Sequence, residues 1–328
     1  TPPLTPTDNN CYSPENVGQI GQAGWNGCEG MLIVDNTMIR SVASSNVGGN
    51  QIFQLTGPDS NTYTFGDSEY NIFTGQVTDM SYLFVGTSFN QSLTSFDTSN
   101  VTNMLGIFAA SPFNQPLDNF DTSNVIDMRL MFYYNTSFNQ PLDNFDTSNV
   151  IHMNAMFSGA SSFNQPLDNF DTSNVLHMGA MFQDASSFNQ PLDNFDTSNA
   201  ISLTLMFSGA SSLNGSLNSC DTSNVTSMDR MFENSSSFNQ PLDNFDTSNV
   251  TNMDSMFSGA SLFNQPLNWD TSSVIYMSSM FSGASSFSQN ISSWCVVNVA
   301  GNAQFDAGTP FPDFRDNLDV QPQWGTCP

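Results

Sequence analysis

A chain of 328 residues would ordinarily suggest two globular domains, but internal repetition overrides that prior and has to be examined first. Thirty acidic residues against four arginines and no lysine give a formal net charge of −26, a surface that repels nucleic acid and anionic lipid. Such a surface suits a soluble protein among cations, or one that takes up cations or basic partners. With 38% hydrophobic residues, including 29 Phe and 17 Met, the chain is too apolar for disorder. No run of 18 apolar residues is present, so no membrane span is expected.

Residues 1–76 read as an N-terminal arm and cap. Thr1-Pro-Pro-Leu-Thr-Pro-Thr7 is expected to be an extended arm. It shows no initiator Met, charged segment or apolar leader, which reads as a processed chain whose signal or anchor lies elsewhere. Met31 to Val34 and Asn61 to Phe65 have the β-formers of short strands. Cys11 and Cys28 sit together here, as Cys295 and Cys327 do in the closing residues 295–328. The expectation is one disulfide stapling each cap, with Cys220 a buried free thiol in the slot that other units fill with Phe145, Phe170 or Phe195. Five reduced thiols are the alternative. Paired cysteines in a lysine-free chain favour an oxidising compartment.

From 77 to 294 the chain consists of about nine variations on one 25-residue unit, written out by Phe138 to Ser162. Asp-Thr-Ser recurs from Asp97 to Asp270 at intervals of 24 or 25 residues. Each unit continues as Val-x-x-Met-x-x-Met-Phe, for example Val150, Met153, Met156 and Phe157. Offsets of 0, 3, 6 and 7 predict a short helical turn with one apolar face. The preceding half holds an early proline that bars a helix. A short strand is expected near Phe145 to Asn149, with Phe145, Thr147 and Asn149 inward or in the opposite phase. No unit can bury its own apolar edge, so the units must stack. The expected result is an α/β repeat, a right-handed solenoid with one short parallel strand and one helical turn per coil, capped at both ends. Its sheet would be on the order of 40 Å long.

The unit Phe238 to Ser261, FNQPLDNFDTSNVTNMDSMFSGAS, resembles the BspA-like leucine-rich-repeat surface proteins. Thr62 to Asp67, Phe73 to Met80, Trp294-Cys295 and Trp324 to Pro328 resemble that family's opening and closing segments. The resemblance implies a leucine-rich-repeat-type solenoid, secreted or surface-exposed, used for adhesion, matrix or partner contact and without catalytic residues. Cys220 and Ala200 depart from the pattern and bear on local packing.

Four candidate features follow from the residues. The columns Asp143, Asp168, Asp193 and Asp146, Asp171, Asp196 would repel unless they cap backbone amides or share calcium. Local capping is the competing expectation. His152 and His177, with Asp127 in the same slot, have the ligand types of a zinc site, against a freely varying solvated slot. Sequons at Asn90, Asn135, Asn214, Asn234 and Asn290 are glycosylation candidates, with Asn135 and Asn234 the best placed. Asn100, Asn224 and Asn249 belong instead to a column expected to bond backbone groups inward. The threonine file from Thr98 to Thr271 would order water or ice if exposed, or act as a β-branched spacer if inward.

No phosphate loop, Gly-x-Ser-x-Gly, His-Glu-x-x-His or zinc-type cysteine pair is present, so no enzyme is expected. The sequence therefore points to an extracellular structural or adhesive protein. Its expected partners are other proteins, matrix or glycans, or further copies in a filament. A glycan- or cation-binding module is the alternative and ice binding the third.

Overall fold

The computed structural model describes residues 10–45, 53–66, 70–310 and 320–328. The Thr1–Thr7 arm and Asp67 lie outside them. The N-terminal block holds β1 (Leu32–Ile33), α1 (Asn36–Ser45), β2 (Gln54–Thr56), β3 (Thr62–Thr64) and β4 (Ile72–Phe73). β1 pairs in parallel with β4, and β2 antiparallel with β3. The strands expected at Met31–Val34 and Asn61–Phe65 are thus found as β1 and β3, shorter by a residue at each end. α1 went unread in the sequence. Asp35 starts it by accepting the Met38 N–H at 2.9 Å. Ile39 and Val42 then bury one face of it in the core.

α1 closes one end of the repeats. Asn36 bonds the Thr78 hydroxyl and accepts the amides of Thr78 and Asp79. Arg40 pairs with Asp79. Cys11 and Cys28 are joined by a disulfide, as are Cys295 and Cys327. Gln76 ties the first of these to the repeats by donating to the Cys11 and Ser13 carbonyls.

Between 77 and 310 the described residues contain neither helix nor named strand, only turns and isolated parallel bridges. The helical turn expected at Val150 to Phe157 is instead a run of overlapping reverse turns. Met156 N–H reaches the Met153 carbonyl, Ser158 that of Ala155, and Ala160 that of Phe157. Ala155 and Gly159 close successive turns with φ of 53° and 73°, a left-handed conformation that ends any α-helix. Residues three apart share a face in such turns as they do in a helix, which is why the apolar spacing misled.

The amides between these turns point along the stack. Met153, Ala155, Phe157 and Gly159 donate at 2.7–3.0 Å to the carbonyls of His177, Gly179, Met181 and Gln183 in the next unit. The bridge column therefore runs through Asp79, Asn103, Asp127, His152 and His177, and again from Ser202 to Gly301, rather than through Phe145 to Asn149. It also carries the stacked units past residue 294 into the segment expected to be the closing cap. The bridge between His177 and Ser202 is missing, beside the divergent Ala200, although Ala180 to Thr204 bonding continues at 2.9 Å.

Thr147 faces inward as expected, but Asn149 is exposed. Every hydroxyl of the threonine file, from Thr98 to Thr271, donates to a backbone carbonyl one unit on, at 2.7–3.0 Å. Thr74 adds one more rung by bonding the Asp97 carbonyl and amide. These threonines are no more than 1% exposed, so they present no surface array and the ice-binding reading of them is withdrawn. Behind them the core is a set of aromatic files. Phe132, Phe157, Phe182 and Phe207 stack with centroids 5.6–5.7 Å apart, and Phe138, Phe163 and Phe188 at 6.1 Å.

Thr172→Val keeps the shape but strands the Asp196 carbonyl. It should cost about 1–3 kcal/mol, read as a lower thermal midpoint. Ser162→Ala, which removes a hydroxyl-to-carbonyl bond between units at a solvent-exposed place where water can replace it, should lower the midpoint less.

Candidate functional site

The positions that vary from unit to unit gather on the bridge side. Two residues past each Val is the bridge residue itself, and the flanking positions one, four and five past the Val are exposed or half-buried, apart from the buried Gly106. In the units from Val77 to Val175 these positions form a groove of about 470 Å³, lined by Tyr82, Leu105, Arg129, Leu130, His152, Asn154, Ala155 and His177. Tyr82 is 42% exposed and lies across Gly106 of the next unit, where a Cβ would come within 2.6 Å of its ring. Glycine at that place, with φ of 59°, lets the phenol lie down along the groove. Exposed aliphatic side chains of Ile126, Leu176 and Ile201 run beside it in successive units, with the half-buried Ile151 between the first two.

Arg129 is fixed by Asp127 through Nε, at 3.0 and 3.1 Å to the two carboxylate oxygens, and through Nη2 at 2.6 Å. That engagement raises the guanidinium further above its ordinary range. It also removes Asp127 from the three-ligand zinc reading. His152 and His177 stack face to face, with centroids 5.3 Å apart and planes 12° from parallel. Among the described residues no group of three or more His, Cys, Asp or Glu is arranged to hold a metal.

The remaining sequence candidates sort by their hydrogen bonds. Asp146 and Asp171 each accept the hydroxyl of the serine two residues on at 2.6 Å and its amide at 3.0 Å. Those two bonds, the hydroxyl first, hold both carboxyls below the usual carboxylate range. Asp196 accepts the Ser198 amide at 2.9 Å. The column offered for calcium is thus already engaged by its own turn. Asp143 and Asp168 stand exposed, and Asp193 accepts the Ser216 hydroxyl at 2.7 Å.

Asn135 is fully buried. Its amide donates to the Phe113 carbonyl and its oxygen accepts the Ser137 and Phe138 amides, so it has no room for a sugar. The correction comes from register: Asn135 occupies the inward slot of Ala160 and Ser235, while Asn234 occupies the outward slot of Tyr134 and Gly159. Asn234 is exposed, with φ of 57°. Asn90, Asn214 and Asn290 are exposed as well. Asn100, Asn224 and Asn249 donate through Nδ2 to a carbonyl of the preceding unit, the same atom a glycan would need. Cys220 is the one free cysteine among the described residues. Burial pushes its thiol up to about 12, so it is packing rather than a nucleophile.

The groove was missed in the sequence because its lining comes from five different units. Only the His152 and His177 pair signalled it. Tyr133 and Tyr134, also flagged as variable, form a separate edge-on pair with centroids 4.6 Å apart.

These features define a tandem-repeat protein whose invariant positions build the stack and whose varying ones form a surface. The family described as "Mycoplasma protein of unknown function, DUF285" matches residues 60–151, 106–220, 135–242 and 202–313, and the chain belongs to that family. No curated protein and no solved structure matches it. No helix among the described residues is long and apolar enough to cross a membrane.

The Asp146 carboxyl predicts a pH effect of definite sign. Because its folded-state pKa is depressed, its contribution to stability is complete above the ordinary carboxylate value and is lost as pH falls through the depressed one. Ser148→Ala removes the hydroxyl donor. NMR titration should then show Asp146 protonating at higher pH than in the parent, with acid unfolding shifted the same way.

Proposed function

We infer that this is an exported structural or adhesive protein: a right-handed leucine-rich-repeat-type solenoid of the BspA-like kind. A cap over 1–76 closes one end, and the disulfide-bonded segment within 295–328 closes the other after a last stacked turn that reaches Ala307. It performs no catalysis. Its surface meets other proteins, matrix or glycans, or further copies of itself. The observation that carries this reading is the division of labour within the unit. Thr, Phe, Met and Val are consumed by the stack, and the positions free to vary converge on one exposed groove. The two disulfides support an oxidising, extracellular setting. Asn234, Asn90, Asn214 and Asn290 are its glycan acceptors, placed where a sugar meets solvent.

Peptide mapping of the protein from the cells that make it tests this reading. The expected map has Cys11–Cys28 and Cys295–Cys327 oxidised, Cys220 reduced, and the protein outside the cell, with sugar at Asn234 and none at Asn135. Five reduced thiols in an intracellular fraction would overturn it.

A further inference from the structure

The bonds that join one unit to the next end on an open edge. The last amides to make them are those of Met277, Ser279, Phe281 and Gly283, which donate at 2.6–2.9 Å to Gly301, Ala303, Phe305 and Ala307. Asn302, Gln304 and Gly308 stand one unit beyond Met277, Ser279 and Gly283, and Gln304 repeats the left-handed φ of Ser279, 55° in both. All three are exposed, and among the described residues nothing accepts their amides. The closing segment covers the core beside them instead. Trp324 meets Phe305 edge-on with centroids 5.1 Å apart, and Gln321 donates to Asp306 at 2.7 Å.

The two ends of the stack therefore differ. At the first unit α1 lies over the repeats through Asn36 and Arg40. At the last, a row of bare amides is left as a template for one more run of backbone, an edge that proteins ordinarily cover or charge. Its exposed residues Ala303, Gln304, Ala307 and Gly308 are short or uncharged.

Such an edge needs carbonyls and offers only donors. Residues 1–7, Thr-Pro-Pro-Leu-Thr-Pro-Thr, match that need. Pro2, Pro3 and Pro6 carry carbonyls without an N–H. That bars them from inner rungs, whose amides donate onward, and costs nothing on a last one. The segment has no charged side chain, so it approaches a chain of net charge −26 without added repulsion.

The segment is too short to serve its own molecule. Gln76 holds Cys11 beside the first unit. From Asp79 to Gly301 there are nine unit steps, counting the one without a bridge between His177 and Ser202, a rise of roughly 43 Å. Nine residues span at most about 32 Å. We propose that residues 1–7 of one copy add as a further rung on the 302–308 edge of another, accepting its amides through their carbonyls. The two surfaces differ, so the contact is heterologous and continues head to tail into an open row. This rests on the reading of the protein as one that meets further copies of itself, and it names the parts that join.

The test is residue-resolved amide hydrogen exchange, with sedimentation velocity, on the full chain over a range of concentrations. Oligomers are expected at high concentration, with the amides of Asn302, Gln304 and Gly308 exchanging at least about tenfold more slowly than in the dilute monomer. An excess of synthetic peptide covering residues 1–9 should disperse the oligomers while keeping those three amides slow. A monomer at every concentration, oligomers whose three amides stay fast, or oligomers that the peptide leaves intact would overturn the proposal. Such a monomer found outside the cell with oxidised caps would sink this proposal alone and leave the broader reading standing.

Discussion

A hydrogen bond from a buried threonine hydroxyl to a backbone carbonyl in the next unit sets the terms for the rest of the molecule. It is made at every unit from Thr98 to Thr271 and extended by Thr74 into the N-terminal block. A chain with neither helix nor sheet through its repeats has no other regular way to satisfy these carbonyls. The bond needs both a hydroxyl and a β-branched body that packs inward, which only threonine combines. On the opposite side of the unit the alternate amides from Met153 to Gly159 do the corresponding work. Together with asparagine ladders such as Asn149 to the Ser123 carbonyl and the Asn164 amide to Asn139, these bonds hold each unit at a fixed height over the last.

Once that height is fixed the core follows. Like side chains fall over like, so phenylalanines stack at one spacing along the file. Exceptions are accommodated one at a time. Cys220 replaces a phenylalanine without breaking burial, and Trp269 and Trp294 extend the same file with their indole N–H groups bonded to backbone carbonyls. At the left-handed corner Tyr134 lies over Gly159, Asp184 over Gly209 and Asn234 over Gly259, where a Cβ on the glycine would come within 2.9 Å of the side chain above it.

Much of this was legible in the sequence, and the rest was hidden for physical reasons. The period, the stacking and the inward phenylalanines follow from apolar positions that recur every 25 residues. The conformation between them does not, because Val, Met and Met at offsets of three satisfy a helical turn and a chain of reverse turns equally well. What decided between them was a left-handed residue at Ala155, which carries no signature of its own. Register produced the other misreading: Asn135 and Asn234 look equivalent as loop sequons but stand one slot apart, one inward and one outward. The groove was least legible of all. Tyr82, Leu105, Arg129, His152 and His177 belong to five separate units, and only stacking brings them together.

Function in such a molecule belongs to what the stack leaves unused. The acidic columns, the stacked imidazoles and the aliphatic row can all change without disturbing the threonine ladder. The central claim, that units are held one upon the next by bonds each unit repeats, is tested most directly by excising residues 172–196, one complete unit. This joins Asp171 to Thr197 in register. The account predicts a folded protein with a cooperative thermal transition, whereas removal of half a unit from the same place abolishes folding. Equal tolerance of both deletions, or loss of folding in the full-unit deletion, would contradict it.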